Sequence, residues 1–308
     1  MKIYLSNLNE SWVVDRFRED WYNYNSDIST ENISDASIVW IVSPWVWKNN
    51  SKRKLNQKKV VCSIYHIDFK TFSKKEERDF YKRDKFVDFY HVISNTTKKQ
   101  LETLTDKSII SIPFWVDSKI FKELENKNIL REKYGFSRKD YLIGSFQRDS
   151  EGKDVSLPKL IKGPDIFFKI VKKEFYRNQN LKVVLTGKRR DYLITKLEEA
   201  KIPYKYFEMI EMKGINELYN ILDLYLVTSR VEGGPQAIME CALTKTPIIS
   251  TNVGIAQEIL SEESVFKNEE DFNFAKPNVE IAYSNAVKHT IPDGMKKFRE
   301  MFEGNFES

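Results

Sequence analysis

The feature that most constrains the fold is a pair of apolar runs, each followed by a turn and a helical pattern. The first run, Leu224 to Val227, leads through polar residues and a glycine pair to a helix predicted from Gln236 to Leu243. The second run, Pro247 to Ser250, follows after a very short connection, and Gly254 begins another helix. In a parallel sheet such strand-to-helix turns lie at the carboxyl edge, where ligands bind. We therefore expect the two turns to lie side by side and to form a binding site.

Two carboxylates, Glu232 and Glu240, supply the chemistry of this stretch. Glu232 falls in the turn, near free helix N–H groups that favour anions, and Pro235 suits the first helical turn, where its missing N–H costs nothing. Glu240 lies further along the helix, beside the same expected crevice, so the two carboxylates suit opposite ends of one ligand. A cap and a solvated helix face are the alternative for such a pair. The glycine pair, Pro235 and the two strands favour the binding site.

This stretch resembles the donor-site signature of the retaining GT-B glycosyltransferases of group one (family 4). The similarity runs through SRVEGGP, residues 229–235, to Glu240, Pro247 and Gly254. It implies an α/β fold of two Rossmann-like domains with parallel sheets facing a cleft, and transfer of a sugar from a nucleotide donor to an acceptor hydroxyl with retention of configuration. Lys245 departs from the family pattern, which usually has glycine after this helix; a left-handed cap there costs about 1 kcal/mol.

The resemblance also implies a role for each matching residue of the second domain. Glu232 binds hydroxyls of the donor sugar and Glu240 the ribose of the nucleotide. The donor's backbone contacts come from Gly233, Gly234, Pro235 and Gly254, where glycine permits close approach. Arg148 and Lys162 resemble the family's diphosphate-neutralising residues, although their connection is longer than usual and solvated side chains are the alternative. Gly187 either flanks the nucleotide or belongs to a plain loop.

His66 is the catalytic candidate of the first domain, because it follows the apolar run Val60 to Ile64 and so lies at a sheet edge. It resembles the family histidine that hydrogen-bonds the donor sugar near its reacting centre, whereas a lone histidine after a strand is otherwise structural. His91, inside a predicted strand, is expected in the core. His289 is expected at the surface.

Composition bounds these hypotheses independently of any resemblance. A chain of 308 residues with 41% hydrophobic content suits two domains, and charged residues make up 31% but leave a net charge of only +5, which gives no electrostatic footprint for nucleic acid. Cys62 and Cys241 stand in apolar segments and are expected in the core. Three unclustered histidines and the lack of an Asp-x-Asp motif predict no metal, and no cofactor is expected beyond the donor substrate. No apolar run approaches the ~18 residues of a spanning helix, so we expect a cytoplasmic protein.

The basic stretch from Trp45 to Lys59 has two interpretations. A solvated loop is the simpler one, and contact with an anionic membrane surface or a phosphate-bearing acceptor is the other, which would make the protein peripheral to the membrane. The resemblance implies a glycan or glycolipid acceptor and a place in polysaccharide biosynthesis. The different-class alternative on the same fold is a noncatalytic nucleotide-sugar sensor or assembly partner, favoured if the short first domain cannot form an acceptor site.

Alternating apolar runs and helical patterns predict the domain organisation. The resemblance adds roles to these domains: an N-terminal, acceptor-side domain over residues 1–114, a donor-binding domain over residues 115–290, and a helix over residues 291–308 that crosses back to the first domain, as it does in the family. Strands are predicted at residues 2–5, 38–42, 60–64, 89–93, 141–146, 181–186, 204–207, 224–227 and 247–250. Helices are predicted at residues 12–21, 74–85, 97–104, 165–176, 191–200, 215–221, 236–243 and 295–302.

Overall fold

The computed structural model describes residues 1–7, 13–152 and 157–304. Contacts divide the chain into two compact units, one formed by Met1–Phe114 with Pro292–Ser308 and the other by Trp115–Ile291. In these described ranges, each unit contains one sheet whose strands are all parallel. Strands and helices alternate along the chain, so the fold is α/β, as the sequence pattern predicts.

Within its described residues, the first unit has five strands in the order β1-β2-β3-β4-β5. These strands are Ile3–Leu5, Ile38–Ile41, Lys59–Ile64, Phe89–Val92 and Ile109–Ser111. Its helices, numbered through the whole chain, are α1 (Val13–Tyr24), α2 (Lys52–Leu55), α3 (Lys74–Asp84), α4 (Asn95–Leu101) and α12 (Asp293–Glu303). Residue 12, the predicted start of α1, lies outside the described residues.

Aromatic rings dominate the core of the first unit. The Trp40 ring lies 5.4 Å from that of Trp21 and 5.1 Å from that of Phe302, which α12 contributes, and Phe298 of α12 stacks 5.7 Å from Phe114. These side chains are almost fully buried. Because large aromatic rings bury much apolar area and also gain from edge and offset-stacked contacts, α12 contributes substantially to this core.

A buried polar network crosses the same core. The Trp40 indole N–H donates to Ser63 Oγ at 2.8 Å, Ser63 Oγ lies 2.8 Å from His91 Nδ1, and His91 Nε2 donates to the carbonyl of Ile112 at 2.8 Å. In this arrangement Ser63 donates to Nδ1, so the imidazole is neutral. Burial lowers the pKa of His91 to about 4, against the smaller opposing effect of the hydrogen bond to Ile112. The prediction that His91 belongs to the core is confirmed.

The part of the second unit that the structure describes has six strands in the order β11-β10-β9-β6-β7-β8. In chain order, β6 to β11 are Tyr141–Ser145, Leu181–Thr186, Tyr204–Phe207, Leu224–Val227, Ile248–Thr251 and Val265–Phe266. The helices are α5 (Lys127–Lys133), α6 (Pro164–Arg177), α7 (Asp191–Glu199), α8 (Met212–Ile221), α9 (Gln236–Leu243), α10 (Ala256–Ile259) and α11 (Val279–Ala286).

Both faces of the second sheet are covered by apolar clusters. Leu142 belongs to the cluster that contains α8 and α9 residues, whereas its neighbour Ile143 belongs to the cluster that contains α6 and α7 residues. Tyr225 and Leu226 of β9 divide between the two clusters in the same way. Alternate side chains of a strand point to opposite faces, so a strand buried on both faces reads as a continuous apolar run. Cys62 and Cys241 are buried and free, as predicted.

Two local details of the second unit bear on the sequence predictions. Lys245 adopts φ +52°, the left-handed conformation expected where the family usually has glycine, and its ammonium lies 5.2 Å from the Tyr283 ring and 3.5 Å from Glu280. The prediction that His289 is at the surface is wrong. His289 is buried, and its backbone carbonyl accepts a hydrogen bond from Val116 N at 3.1 Å.

Candidate functional site

The candidate site lies where the strand order of the second sheet reverses. After β6 the chain continues to β7 and β8 on one side, and β9 returns to the other side of β6 before β10 and β11. Loops that follow β6 and β9 therefore diverge at the carboxyl edge, and open α/β sheets bind ligands at such a switch point. The loop after β6 carries Arg148 and Lys162, and the loop after β9 carries Glu232.

Two glycines allow the turns at this edge to touch backbone to backbone. Gly163 adopts φ +63°, and a Cβ added there would lie 1.7 Å from the carbonyl oxygen of Thr228. Gly254 adopts φ +50°, and a Cβ added there would lie 2.0 Å from the carbonyl oxygen of Gly233. No side chain fits at either distance, and positive φ also favours glycine. The turns after β9 and β10 thus lie side by side, as predicted, and the Gly163 turn packs against the first of them.

The segment that carries Lys162 is fastened to the loop that carries Glu232. Arg230 donates from its backbone N–H to the carbonyl of Ile161 at 2.8 Å, and its guanidinium forks onto the carboxylate of Asp165 at 2.7 and 2.6 Å. Thr228 Oγ1 donates to the carbonyl of Gly163 at 2.8 Å. A bidentate arginine–carboxylate pair fixes orientation as well as distance. These contacts place Lys162 beside Glu232.

Lys162 and Glu232 form an ion pair at the edge of the sheet. Their side chains are 23% and 12% exposed, so the pair is shielded but reachable from solvent. Ser229 Oγ lies 3.3 Å from Glu232 Oε1, and Gln147 Nε2 donates to the carbonyl of Lys162 at 2.9 Å. An ammonium has three donors, so Lys162 can hold Glu232 and an anionic ligand together.

Glu240 occupies a more enclosed position on α9. It is buried, and its Oε2 accepts a hydrogen bond from the Tyr219 hydroxyl at 2.9 Å. Burial, followed by the negative charge of Glu240, raises the pKa of Tyr219, which stays protonated as a donor. Pro235 directly precedes α9, and its carbonyl accepts from Ile238 N at 2.9 Å, so the proline ends the turn rather than standing inside the helix.

The remaining candidates of the second unit lie on the loops after β6 and β7. Arg148 is exposed, and its Nε donates to the carbonyl of Ser150 at 2.8 Å. Gly187 adopts φ +87°, and its carbonyl accepts from the Tyr206 hydroxyl at 2.9 Å. Lys159 also belongs to this edge, and sequence reasoning did not single it out. Lys159 is one of several lysines in the polar connection between β6 and α6, and only the folded structure distinguishes it from the others.

His66 is exposed in the first unit, just beyond the carboxyl end of β3. The neighbouring Asp68 accepts hydrogen bonds from Lys70 N and Thr71 Oγ1, both at 3.1 Å, so its carboxylate organises its own turn. Among the described residues, no three His, Cys, Asp or Glu side chains cluster as a metal site would require.

The basic stretch from Trp45 to Lys59 is helical over much of its length, contrary to the expectation of a loop. A 3₁₀ helix at Pro44–Asn49 precedes α2, and Trp47 is buried with its indole N–H donating to Asp79 at 3.2 Å. Trp45 is 45% exposed. Only one of the two tryptophans can therefore meet an outside surface. No helix in the described part of the chain has the length and apolarity needed to cross a bilayer.

The family model for glycosyl transferases group 1 matches residues 127–303. No curated protein sequence matches the chain significantly.

Solved glycosyltransferase structures share the fold at low sequence identity. Anabaena Alr3699/HepE in complex with UDP and glucose superposes with a TM-score of 0.75 and 13% identity, covering 99% of this chain and 100% of that one. The same protein in complex with UDP-glucose gives a TM-score of 0.76 at 13% identity, over 98% and 99% of the two chains. Sucrose-phosphate synthase from Thermosynechococcus elongatus gives 0.70 at 11% identity, over 97% and 81%. These structures have the GT-B fold, and the family match spans more than half of this chain, which therefore belongs to the group 1 family of glycosyltransferases.

Proposed function

We propose that this enzyme transfers a sugar from a nucleotide-sugar donor to an acceptor hydroxyl with retention of the anomeric configuration. The observation that carries the proposal is the Lys162–Glu232 ion pair at the switch point of the second sheet. A nucleotide sugar contains a diphosphate linked to a sugar ring that carries several hydroxyl groups. A cation beside a carboxylate matches those two parts, because ammonium groups bind phosphate oxygens and carboxylates accept hydrogen bonds from hydroxyls.

Departure of the nucleoside diphosphate is the step that needs positive charge. Negative charge grows on the leaving phosphate as its bond to the anomeric carbon breaks, and Lys162 with Arg148 neutralises it. A positioned donor in a site with reduced water contributes about 3 kcal/mol to such a step. Glu232, held by Lys162 and Ser229, accepts hydrogen bonds from donor-sugar hydroxyls and fixes the ring.

The other residues bind and orient the donor. Glu240 accepts hydrogen bonds from the ribose, and Gly233, Gly234, Pro235 and Gly254 form the turns whose backbone meets the donor. Gly187 flanks the nucleotide. His66, on the first unit, hydrogen-bonds the donor sugar near its reacting carbon. Phosphate charge is met by side chains and helix ends, so the reaction requires neither a divalent metal nor a further cofactor.

The first experiment is a binding screen. HepE has been crystallised with UDP and with UDP-glucose, which makes uridine nucleotides the first probes for this chain. Ligand at about 100 times its dissociation constant adds roughly 2.7 kcal/mol to the free energy of unfolding, which a thermal-shift assay detects. Failure of every nucleoside diphosphate and nucleotide sugar to shift the transition would overturn the donor site.

Turnover and product analysis test the rest of the proposal. Binding of a nucleotide sugar without transfer or slow donor hydrolysis would favour the noncatalytic sensor. Where transfer occurs, the NMR coupling constant of the anomeric proton in the product reports retention or inversion. An inverted product would contradict the retaining assignment while leaving the donor site intact.

The acceptor we propose is a glycan or glycolipid of polysaccharide biosynthesis, met in the cytoplasm and at the membrane surface. Exposed Trp45 and the lysines near it support contact with anionic lipid. Vesicles containing phosphatidylglycerol should sediment the protein, and Trp45→Ala should weaken that binding. Tyr81→Ala is the matched control, because Tyr81 is equally exposed in the same unit. Equal loss in both variants, or binding to neutral vesicles alone, would contradict the membrane contact.

A further inference from the structure

The loop that follows β6 returns on itself and closes at its base. Lys159 N donates to the carbonyl of Asp149 at 2.7 Å, and Ser150 forms an antiparallel bridge with Pro158. Glu151 N donates to the carbonyl of Leu157 at 3.1 Å. These backbone contacts fix residues 149–151 against residues 157–159. The backbone at Arg148, just before the base, is thereby brought close to the backbone at Lys159, at its end.

A buried ion pair fastens this base to the sheet. Arg190 Nε donates to Asp149 Oδ2 at 2.7 Å, and both side chains are almost completely buried. The same guanidinium donates to the carbonyl of Thr186 at 3.2 Å and to Ser145 Oγ at 3.3 Å. Ser145 and Thr186 are the last residues of β6 and β7. The position of Asp149 is therefore set by the ends of two strands rather than by the loop itself.

A serine completes the attachment. Ser150 Oγ donates to Asp149 Oδ1 at 2.8 Å and accepts from Tyr192 N at 2.9 Å, at the start of α7. The backbone N–H groups of Asp149 and Ser150 both donate to the carbonyl of Arg189, at 3.2 and 3.1 Å. Buried charges are costly unless paired and hydrogen-bonded, and here both carboxylate oxygens of Asp149 have partners.

Three basic residues lie near the base of the loop. Lys162 N donates to the carbonyl of Lys159 at 2.8 Å, and the charges of both Arg148 and Lys162 act on the Lys159 ammonium. Burial lowers the pKa of Lys159, and the positive charges of Arg148 and Lys162 lower it further. Glu151 and Glu232 oppose these effects without cancelling them. Positive charge is therefore in excess here, and an anionic ligand would relieve the repulsion.

We propose that Lys159 is a third phosphate-binding residue of the donor site, and that Asp149 and Arg190 are its positioning residues. This inference rests on the proposed function, because it assigns the Lys159 ammonium to the diphosphate of the nucleotide sugar. Lys162 shares its ammonium between Glu232 and the ligand, whereas Lys159 supplies a further ammonium donor to the same ligand. The Asp149–Arg190 pair orders the loop before the ligand arrives, which reduces the entropy lost on binding.

Calorimetric titration of UDP into Lys159→Gln tests the assignment. Loss of a charge-assisted hydrogen bond should weaken UDP binding by about tenfold or more. Lys159→Arg should stay within a few-fold of the native affinity because it keeps the charge. Lys139→Gln is the control, since Lys139 is an exposed lysine preceding β6 at the opposite edge of the sheet. Native affinity in folded Lys159→Gln would overturn the proposal. If UDP does not bind the native protein, the titration is made with the nucleoside diphosphate that does, and failure of every nucleoside diphosphate to bind would instead overturn the proposed function.

A double-mutant cycle tests the positioning residues. Asp149→Asn with Arg190→Met removes both buried charges together. UDP affinity should fall, and this loss should not add to the loss caused by Lys159→Gln, because both changes remove the same contact with the ligand. The combination of all three changes should therefore bind UDP little worse than the Asp149–Arg190 variant alone. Purely additive losses would show that the pair affects UDP binding independently of Lys159, and unchanged affinity in the folded pair variant would show that the pair acts on stability only; either result would overturn the positioning role. Ser150→Ala is the milder variant if the pair variant does not fold, with the same non-additivity expected.

Discussion

Gly254 packs so closely against Gly233 that a Cβ added at Gly254 would lie 2.0 Å from the Gly233 carbonyl oxygen. Glu232 precedes Gly233 directly, and its own carbonyl oxygen lies 3.0 Å from that same Cβ position. The turn after β10 therefore supports the turn that presents the Glu232 carboxylate. This backbone contact is a requirement of the protein's own packing, whatever the ligand.

Gly254→Ala should destabilise the protein by roughly 3 kcal/mol or more, because backbone must move to admit the methyl group. The free energy of unfolding from urea titration measures the change. Gly304→Ala is the control, since Gly304 also has positive φ, +81°, but no atom of the described residues lies within 4 Å of its added Cβ. That variant should lose only about 1 kcal/mol. Equal losses in the two variants would contradict the packing argument.

Glu240→Ala should weaken nucleoside diphosphate binding by roughly 1 to 3 kcal/mol, because ribose hydroxyls lose their acceptor. Tyr219→Phe separates this role from packing. It removes the hydroxyl that donates to Glu240 but leaves the carboxylate, so it should lower stability while UDP affinity changes little. Calorimetry on both folded variants decides the matter. Unchanged affinity in Glu240→Ala would assign Glu240 to structure alone.

His66→Ala should lower turnover about a hundredfold or more while UDP affinity stays within a factor of a few, if the imidazole contacts the sugar mainly as charge develops. Single-turnover transfer, or slow donor hydrolysis, provides the rate. Thr71→Ala, an exposed change in the same loop, should leave the rate near that of the native enzyme. A structural histidine would instead lower the melting temperature, with activity falling only as folded protein is lost.

Turnover should survive an excess of EDTA, because the proposal assigns the donor's phosphate charge to side chains and helix ends. The rate is measured before and after chelation on the same preparation. A loss of activity that magnesium or manganese restores would refute the metal-independent mechanism.

His91 should make stability pH-dependent below neutrality. Its pKa is about 4 in the folded protein and about 6.5 when unfolded, so the unfolded chain binds the proton first as pH falls. The contribution of neutral His91 is complete above pH 6.5 and is lost between pH 6.5 and 4, by about 3 kcal/mol. Urea titrations of the native protein and His91→Gln at several pH values should therefore converge toward low pH. A constant difference across this window would contradict the prediction.

Periodicity predicted most elements of the sheet within one or two residues. β7, β8, β9 and α9 occur with the predicted bounds, because continuous apolar runs and helical spacing are both clear there. The pattern missed five elements: β5 (Ile109–Ser111), β11 (Val265–Phe266), α2 (Lys52–Leu55), α5 (Lys127–Lys133) and α11 (Val279–Ala286). All are short, and α2 and α5 are mostly polar, so their local patterns do not stand out from the flanking loops.

The contacts that hold the site together were less predictable from the sequence than the residues that form it. Motif spacing indicated Lys162 and Glu232 as separate candidates, but nothing local in the sequence pairs them across about 70 residues of chain. Nothing local in the sequence pairs Asp149 with Arg190 either, and the motif at Gly187 indicated only a loop near Arg190. Contacts of this kind depend on strand order, and strand order is decided by the packing of the whole sheet.

Because the loop after β6 is closed at its base, the number of residues beyond the base can change without moving the basic residues beside it. Because hydrogen bonds join residues 149–151 to residues 157–159, the chain between them is tied at both ends. Lengthening or replacing that connection leaves the anchors of Arg148, Lys159 and Lys162 in place. An affinity epitope or a fluorophore-bearing peptide can therefore be inserted at this position to report ligand binding, without changing the binding site itself.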